Sequence, residues 1–187
     1  MSAAAFQPSP FDPNRKGWFV VLGVAPGLNA VGYCVIDVDT DGMSHCLDYD
    51  VLMGNRAAQL ERAGADLSLA NLAQLVLRFR VHAKIIGVLF ERHYPAVLAI
   101  GPAALTKEPP EHIRASRSAL VGMATLFGVR VIDVTAADMK TAFPTEKKLH
   151  SIVLDHLATP IESRDRRVLR AAGSALAAAQ QVRAESR

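Results

Sequence analysis

The chain has 187 residues, of which 50% are hydrophobic and 21% are charged. A chain of this length can bury a substantial core and is predicted to form one domain. Charges interrupt its apolar runs, so no membrane span is expected, and the start lacks the apolar block of a signal peptide. The net charge of +3 divides into −1 for residues 1–90 and +4 for residues 91–187. An acidic partner such as nucleic acid is one interpretation of the basic second half.

Three β-rich runs open the chain, and they cover Trp18–Ala25, Ala30–Val38 and Ser44–Met53. The connectors Pro-Gly-Leu-Asn and Asp-Thr-Asp-Gly have turn chemistry, so the runs are predicted to form an antiparallel meander. Residues 1–17 are predicted to be a flexible tail before a single domain over residues 18–183, and residues 184–187 a second short tail.

Two cysteines lie on the arms of the second predicted hairpin. Cys34 and Cys46 flank its turn and could face each other in one strand register. Low cysteine content is typical of a reducing compartment, so a cytoplasmic location with unpaired thiols is expected. The favoured interpretation is that both are small apolar residues of the sheet.

Helices and two short strands fill the rest of the chain. Recurring leucines predict a helix over Ser68–Arg92, followed by a buried strand over Ala96–Ile100. After a proline-rich connector, a helix is predicted over His112–Phe127 and a fifth strand over residues 129–134. Three closing helices are predicted over Ala136–Ala142, over Thr145–Leu157 with Thr145 as N-cap, and over Ser163–Val182.

This order of elements resembles the ribonuclease H-like fold, and short motifs resemble the RuvC-type Holliday-junction resolvases. Gly23-Val24-Ala25-Pro26-Gly27 is similar to the Gly-Ile-Asp-Pro-Gly pattern that ends their first strand. The resemblance spans roughly residues 18–182 and continues in residues 31–35, 95–100, 131–140, 146–148 and 172–177. It implies an α/β fold with a five-stranded mixed sheet, three antiparallel strands and then two parallel ones, flanked by helices.

The resemblance also indicates where this family carries its metal-binding carboxylates, and none of the matching residues is acidic. These residues are Ala25, Gly101, Ala171 and Ser174. Two-metal phosphodiester cleavage needs several carboxylates to hold its ions, so no metal cofactor and no nuclease activity are expected. A site rebuilt around Asp133 or Asp165 is a less favoured alternative. Scattered histidines such as His93 show no ligand spacing and are interpreted as core or surface residues.

Basic residues border the predicted site. Arg164, Arg167 and Arg170 belong to the last predicted helix, where helical spacing places Arg167 one turn before Ala171. Guanidinium groups can grip a phosphate without a metal, although a solvated helix face is an equally weighted interpretation. By resemblance, Lys140 and Lys147 match lysines that contact the DNA backbone. Lys148 is adjacent, and Arg114 and Arg117 on the second predicted helix add to that face, with simple solubility as the alternative.

We therefore expect a catalytically inactive RuvC-like protein that binds branched or duplex DNA through its phosphates. By resemblance it is expected to be a homodimer, paired through an apolar stripe on the second helix: Ile113, Leu120, Met123, Ala124 and Phe127. The alternative is a protein-interaction or regulatory module that keeps the fold and the dimer surface without DNA. A protein partner in recombination, phage or plasmid functions is the context that the resemblance implies.

Overall fold

The computed structural model describes residues 17–26, 30–53, 86–102, 111–144 and 148–186. Its strands are β1 (Phe19–Pro26), β2 (Ala30–Val38), β3 (Ser44–Met53), β4 (Val97–Ile100) and β5 (Arg130–Asp133). Its helices are α1 (residues 86–93), α2 (Glu111–Leu126), α3 (Ala136–Ala142), α4 (Leu149–His156) and α5 (Arg166–Glu185). No helix in these described ranges is long and apolar enough to cross a membrane.

The strands form one mixed sheet in the order β3-β2-β1-β4-β5. β1 pairs antiparallel with β2, and β2 with β3, whereas β4 runs parallel to β1 and β5 runs parallel to β4. The predicted fold class is therefore confirmed. Because β1, β4 and β5 point the same way, their C-terminal ends meet at one edge of the sheet, which we call the carboxyl edge.

The sheet separates two apolar layers. Val21 and Ala25 of β1 face a layer built with α3, α4 and α5, whereas Val20, Leu22 and Val24 face a layer built with α1 and α2. β1 is consequently buried on both faces, which explains its nearly continuous run of apolar residues. The sheet contacts α5 most extensively, since this helix is buried at nearly every position from residue 168 to residue 179.

The backbone of helix α5 lies directly against the backbone of the sheet at two glycines. A Cβ atom added to Gly23 of β1 would lie 2.1 Å from the carbonyl oxygen of Ala171, and one added to Gly32 of β2 would lie 2.4 Å from the carbonyl carbon of Arg167. Both distances are far inside van der Waals contact, so only glycine permits this approach. The alanine-rich face of α5 completes the fit, because short side chains let a helix lie close to a sheet.

The strand predictions are accurate, but several helix boundaries differ. The described part of the first predicted helix begins at residue 86, and most of Ser68–Arg92 lies outside the described residues. Helix α4 begins at Leu149 with Lys148 as its N-cap, so the predicted start at Thr145 is wrong. Thr145 itself, Lys147 and residues 1–16 of the predicted tail also lie outside the described residues.

The last helix is shifted toward the C-terminus. It begins at Arg166 because the Asp165 side chain accepts a hydrogen bond from the backbone N–H of Arg167 and caps the helix. Arg164 therefore precedes the helix and does not extend its stripe. At the other end the helix reaches Glu185, which Arg130 holds through two hydrogen bonds of 2.6 and 2.9 Å. The last helix therefore extends three residues beyond its predicted end at Val182.

The close contact of α5 predicts a strong difference between two glycine substitutions. Gly23→Ala should lower the free energy of unfolding by about 2 kcal/mol or more, because its Cβ has no space beside Ala171. Gly122→Ala on α2 is the matched control, since its Cβ would meet nothing within 4 Å. The control should gain about 0.5–1 kcal/mol from helix propensity. Urea unfolding measures both values, and equal effects would contradict the assigned contact.

Candidate functional site

Four positions lie together at the carboxyl edge, and they are the ones that the resemblance matches to metal-binding carboxylates. Ala25 lies near the end of β1, Gly101 directly follows β4, and Ala171 and Ser174 lie on α5. The Gly101 N–H donates to the Val24 carbonyl over 2.8 Å. A Cβ atom added to Gly101 would lie 2.5 Å from Ser174 Oγ, and Ala25 and Ala171 share one apolar cluster. The four positions, which are far apart in the sequence, are therefore neighbours in the fold.

Small residues fill this site. Ala25 is 4% exposed, Ala171 and Ser174 are fully buried, and Gly101 is buried as well. The Ser174 hydroxyl donates to the Arg170 carbonyl over 2.8 Å, so it is satisfied within its own helix. A longer side chain at Gly101 would require Ser174 or the end of β1 to move. The site is thus packed as core, and its side chains offer one hydroxyl and no carboxylate.

Arg167 and Asp165 form a charged fork beside this core. Arg167 Nε and Nη2 lie 3.0 and 2.6 Å from the two carboxylate oxygens of Asp165. The hydrogen bonds from the Arg167 side chain and backbone lower the pKa of Asp165 to about 2, and the same contact raises the pKa of Arg167. Both groups are therefore ionised at neutral pH. The positive charge of Arg167 is largely balanced by its neighbour.

Helices that approach the same edge carry other basic candidates. Helix α2 ends just before β5 begins, so its first turns, with Arg114 and Arg117, lie toward the carboxyl edge. Met139 and Leu149, the chain neighbours of Lys140 and Lys148, both reach 2.8 Å from the Cβ position of Gly173. That position is one residue from Ser174, so α3 and α4 place their lysines near the packed core.

The basic candidates differ in whether an acidic side chain balances their charge. Arg117 forms an ion pair with Asp133 at the end of β5, and Arg167 is paired with Asp165. Within the described ranges, five candidates have no acidic partner: Arg114, Lys140, Lys148, Arg164 and Arg170. Lys147 lies outside those ranges. Sequence reasoning overlooked both pairs, although an aspartate two residues before Arg167 at a helix start was a usable signal.

The two acids considered for a rebuilt metal site are engaged elsewhere. Asp133 contacts Arg117, and Asp165 both caps α5 and pairs with Arg167. Among the residues that the structure describes, no three His, Cys, Asp or Glu side chains are grouped to hold a metal ion. The sequence-based preference against a rebuilt site is consistent with these contacts, which use the carboxylates for structure.

A polar cluster that the sequence did not reveal lies on the α1–α2 side of the sheet. Asp48 of β3 accepts a hydrogen bond of 3.3 Å from the Tyr33 hydroxyl and lies 3.4 Å from Nε2 of His93. His93 is 9% exposed, in agreement with its interpretation as a core residue. Its contact lowers the pKa of Asp48, while burial raises the pKa of Tyr33. The cluster ties the edge strand to the end of α1.

The comparisons with known proteins concern the fold. No protein-family model matches the sequence, and no curated protein matches it either. The structure of RuvC from Thermus thermophilus is 19% identical, with a TM-score of 0.69 over 89% of this chain and 96% of that one. T. thermophilus RuvC in complex with a Holliday junction substrate is 18% identical, with a TM-score of 0.67 over 88% of this chain and 96% of that one.

A eukaryotic protein shares the same architecture. The yeast mitochondrial Holliday junction resolvase is 14% identical, with a TM-score of 0.55 over 89% of this chain and 78% of that one. All three structures match this chain over 88–89% of its length. The chain therefore has the RuvC-type, ribonuclease H-like fold.

Proposed function

We propose that this protein is a RuvC-like DNA-binding protein without nuclease activity, which holds branched or duplex DNA through its phosphate backbone and needs no metal. The observation that carries the proposal is the packed core at Ala25, Gly101, Ala171 and Ser174. Cleavage by the two-metal route needs carboxylates that clamp ions about 3.5–4 Å apart around the phosphate. Here those positions hold only two alanines, a glycine and one internally bonded serine.

Support for DNA as the partner comes from charge and its placement. The five basic residues without an acidic partner in the described ranges come from α2, α3, the start of α4, the approach to α5 and α5 itself. We propose that they form one DNA-binding surface at the carboxyl edge, which we call the basic edge. Lysine and arginine on several elements around one edge are suited to a backbone whose charges are closely spaced. Phosphate contacts position DNA without reading its bases, so binding should be largely independent of sequence.

The second candidate is a protein-interaction or regulatory module with the same fold. The ion pairs of Arg117 and Arg167 favour it, because a charge that is already balanced attracts phosphate weakly. A gel-shift assay with four-way junction, duplex and single-stranded DNA at fixed salt separates the two functions. Failure of the parent protein to bind any of these at low salt would support the protein module, whose partner would come from recombination, phage or plasmid functions.

We further propose a homodimer, with a correction to the residues that form its surface. Leu120 and Ala124 of the predicted stripe are buried against the sheet, and the side chain of Ile113 lies outside the described residues. Phe127 of the predicted stripe is exposed directly after α2, and the further exposed apolar groups of this layer are Val88 on α1 and Val121 and Leu126 on α2. Leu126 is 81% exposed and Val88 is 51% exposed, so pairing two copies there would remove costly apolar surface from water.

The first functional prediction is that the protein does not cut DNA. Junction, duplex and single-stranded substrates should remain intact in Mg²⁺ or Mn²⁺, because no carboxylate lines the packed core. Denaturing gels with end-labelled DNA measure this directly. Cleavage that copurifies with the protein, depends on the metal and disappears in Asp165→Ala would establish a rebuilt active site and reject the proposal.

The second functional prediction concerns the salt dependence of DNA binding. If four to six phosphates are contacted, the slope of log affinity against log salt should be roughly −4 to −5, and EDTA should leave it unchanged. Arg170→Ala should weaken binding and flatten the slope by about one unit. Asp165→Asn should tighten binding, because it keeps a good N-cap and removes a negative charge beside Arg167.

A matched control comes from the opposite edge of the sheet. Arg130 begins β5 and pairs with Glu185, so Arg130→Ala should leave affinity and slope unchanged. Fluorescence anisotropy with a labelled duplex measures all four proteins under the same salt series. If Arg170→Ala and Arg130→Ala have equal affinities and equal salt slopes, DNA does not bind at the carboxyl edge, even if the parent protein binds DNA.

The third functional prediction is that the dimer depends on the outer surface of α1 and α2. The double variant Val88→Glu, Leu126→Glu should be monomeric at tens of micromolar, where the parent protein is a dimer, because charges would be buried in the interface. Leu154→Glu is the control, since Leu154 is 48% exposed on α4, on the other face of the sheet. Light scattering gives the masses, and a monomeric parent would reject the dimer.

A further inference from the structure

The two cysteines of the chain meet across strands β2 and β3. Cys34 Sγ lies 3.8 Å from Cys46 Sγ, and both side chains belong to the layer beneath α5. They are the only cysteines in the sequence. Neither thiol belongs to the group Ala25, Gly101, Ala171 and Ser174 or to the basic residues described above. The close approach of the two thiols therefore needs a separate explanation.

A β-bulge creates this meeting. Val35 pairs with Asp48, but the next residue, Ile36, pairs with Cys46, so Leu47 is an extra residue on β3. Without the bulge, Cys46 would lie opposite Asp37 and point to the other face of the sheet, because side chains alternate along a strand. The bulge moves Cys46 next to Cys34 and turns it to the same face. The register thus brings the two sulfur atoms together.

The environments of the two sulfur atoms differ in a chemically useful way. Cys34 is fully buried, whereas Cys46 is half-buried on β3, which is an edge strand of the sheet. The hydrogen bond between the thiols lowers the pKa of Cys46 and raises that of Cys34, and burial raises the pKa of Cys34 further. The more accessible sulfur is therefore also the one more readily ionised, and the thiolate is the reactive form.

We propose that Cys34 and Cys46 are a redox-active dithiol, which a hydroperoxide oxidises to an intramolecular disulfide between β2 and β3. Two thiols alone are too few ligands for a structural zinc site, and within the described residues no third metal-ligating side chain joins them. The proposal does not depend on DNA binding.

The chemistry proceeds in two balanced steps. In the first, the Cys46 thiolate attacks one oxygen of the hydroperoxide; the S–O bond forms, the O–O bond breaks, and the other oxygen leaves and takes a proton from water. In the second, Cys34 Sγ attacks Cys46 Sγ and loses its proton to the departing oxygen, so the S–S bond forms, the S–O bond breaks and water leaves. With hydrogen peroxide, two thiols and one peroxide give one disulfide and two waters.

The movement required is small. A disulfide needs the sulfur atoms about 2.05 Å apart, so they must approach by less than about 2 Å from their present separation. The bulge lies at the point where this adjustment is needed, since its irregular pairing begins between Val35 and Ile36.

The test is mild oxidation of the folded, reduced protein with one equivalent of hydrogen peroxide, followed by alkylation and intact mass measurement. The parent chain should lose two hydrogen atoms in mass, resist alkylation and remain uncrosslinked between chains. Peptide mapping should place the bond between Cys34 and Cys46. In Cys34→Ala the reaction should stop at a sulfenic acid on Cys46 that dimedone traps.

Cys46→Ser completes the comparison, because it leaves only the buried thiol. Its reaction with peroxide should be slower than that of Cys34→Ala by about tenfold or more, since the Cys34 sulfur is fully buried and burial by itself raises the pKa of its thiol. The proposal is overturned if the folded parent keeps two alkylatable thiols, if a sulfenic acid persists on Cys46 in the parent, or if the disulfide forms between chains. The parent chain alone decides these outcomes, so they stand even if a variant folds poorly.

Discussion

The contact of helix α5 with β1 and β2 determines how the rest of the molecule is arranged. At Gly23 and Gly32 the helix lies against the strands with no side chain between the two backbones. Such contact is stabilising only if the facing helix positions are also small, which explains the run of alanines from Ala171 to Ala179, broken by Gly173, Ser174 and Leu176. α5 then carries α3 and α4 on its outer side, where Met139 and Leu149 pack over Gly173.

This contact also explains why small residues occupy the positions that the resemblance matches to carboxylates. Ala171 and Ser174 are part of the same buried face that seats the helix, and Gly101 leaves the space that Ser174 occupies. A carboxylate at any of these places would be buried without a partner, which costs several kcal/mol unless an ion or a hydrogen bond compensates it. The small residues at these positions therefore pack as one unit, so a carboxylate introduced at one of them would also disturb the others.

Much of this arrangement follows from the sequence, and the remainder depends on contacts between distant residues. The bounds of β2 and β3 were predictable because Pro-Gly and Asp-Gly turns and apolar runs are local signals. The start of α5 was misplaced because Ser163 and Asp165 are both good caps, and only the hydrogen bond to Arg167 selects Asp165. The pair between Arg117 and Asp133 joins α2 to β5. No local sequence pattern reveals this ion pair or the bulge at Leu47.

Because contacts between distant residues are not visible in the sequence, the number of basic residues overstates the positive charge that DNA would meet. The sequence supplies eight candidate cations, but the fold places Asp133 and Asp165 against two of them. An exposed ion pair has a weak field at the distance of a phosphate, because the opposite charges cancel and salt screens what is left. Within the described ranges, the residues that could supply attraction to a phosphate backbone are then Arg114, Lys140, Lys148, Arg164 and Arg170. They belong to several elements that meet only through their packing on α5 and the sheet, so loosening the helix at Gly23 or Gly32 should also disperse the basic edge.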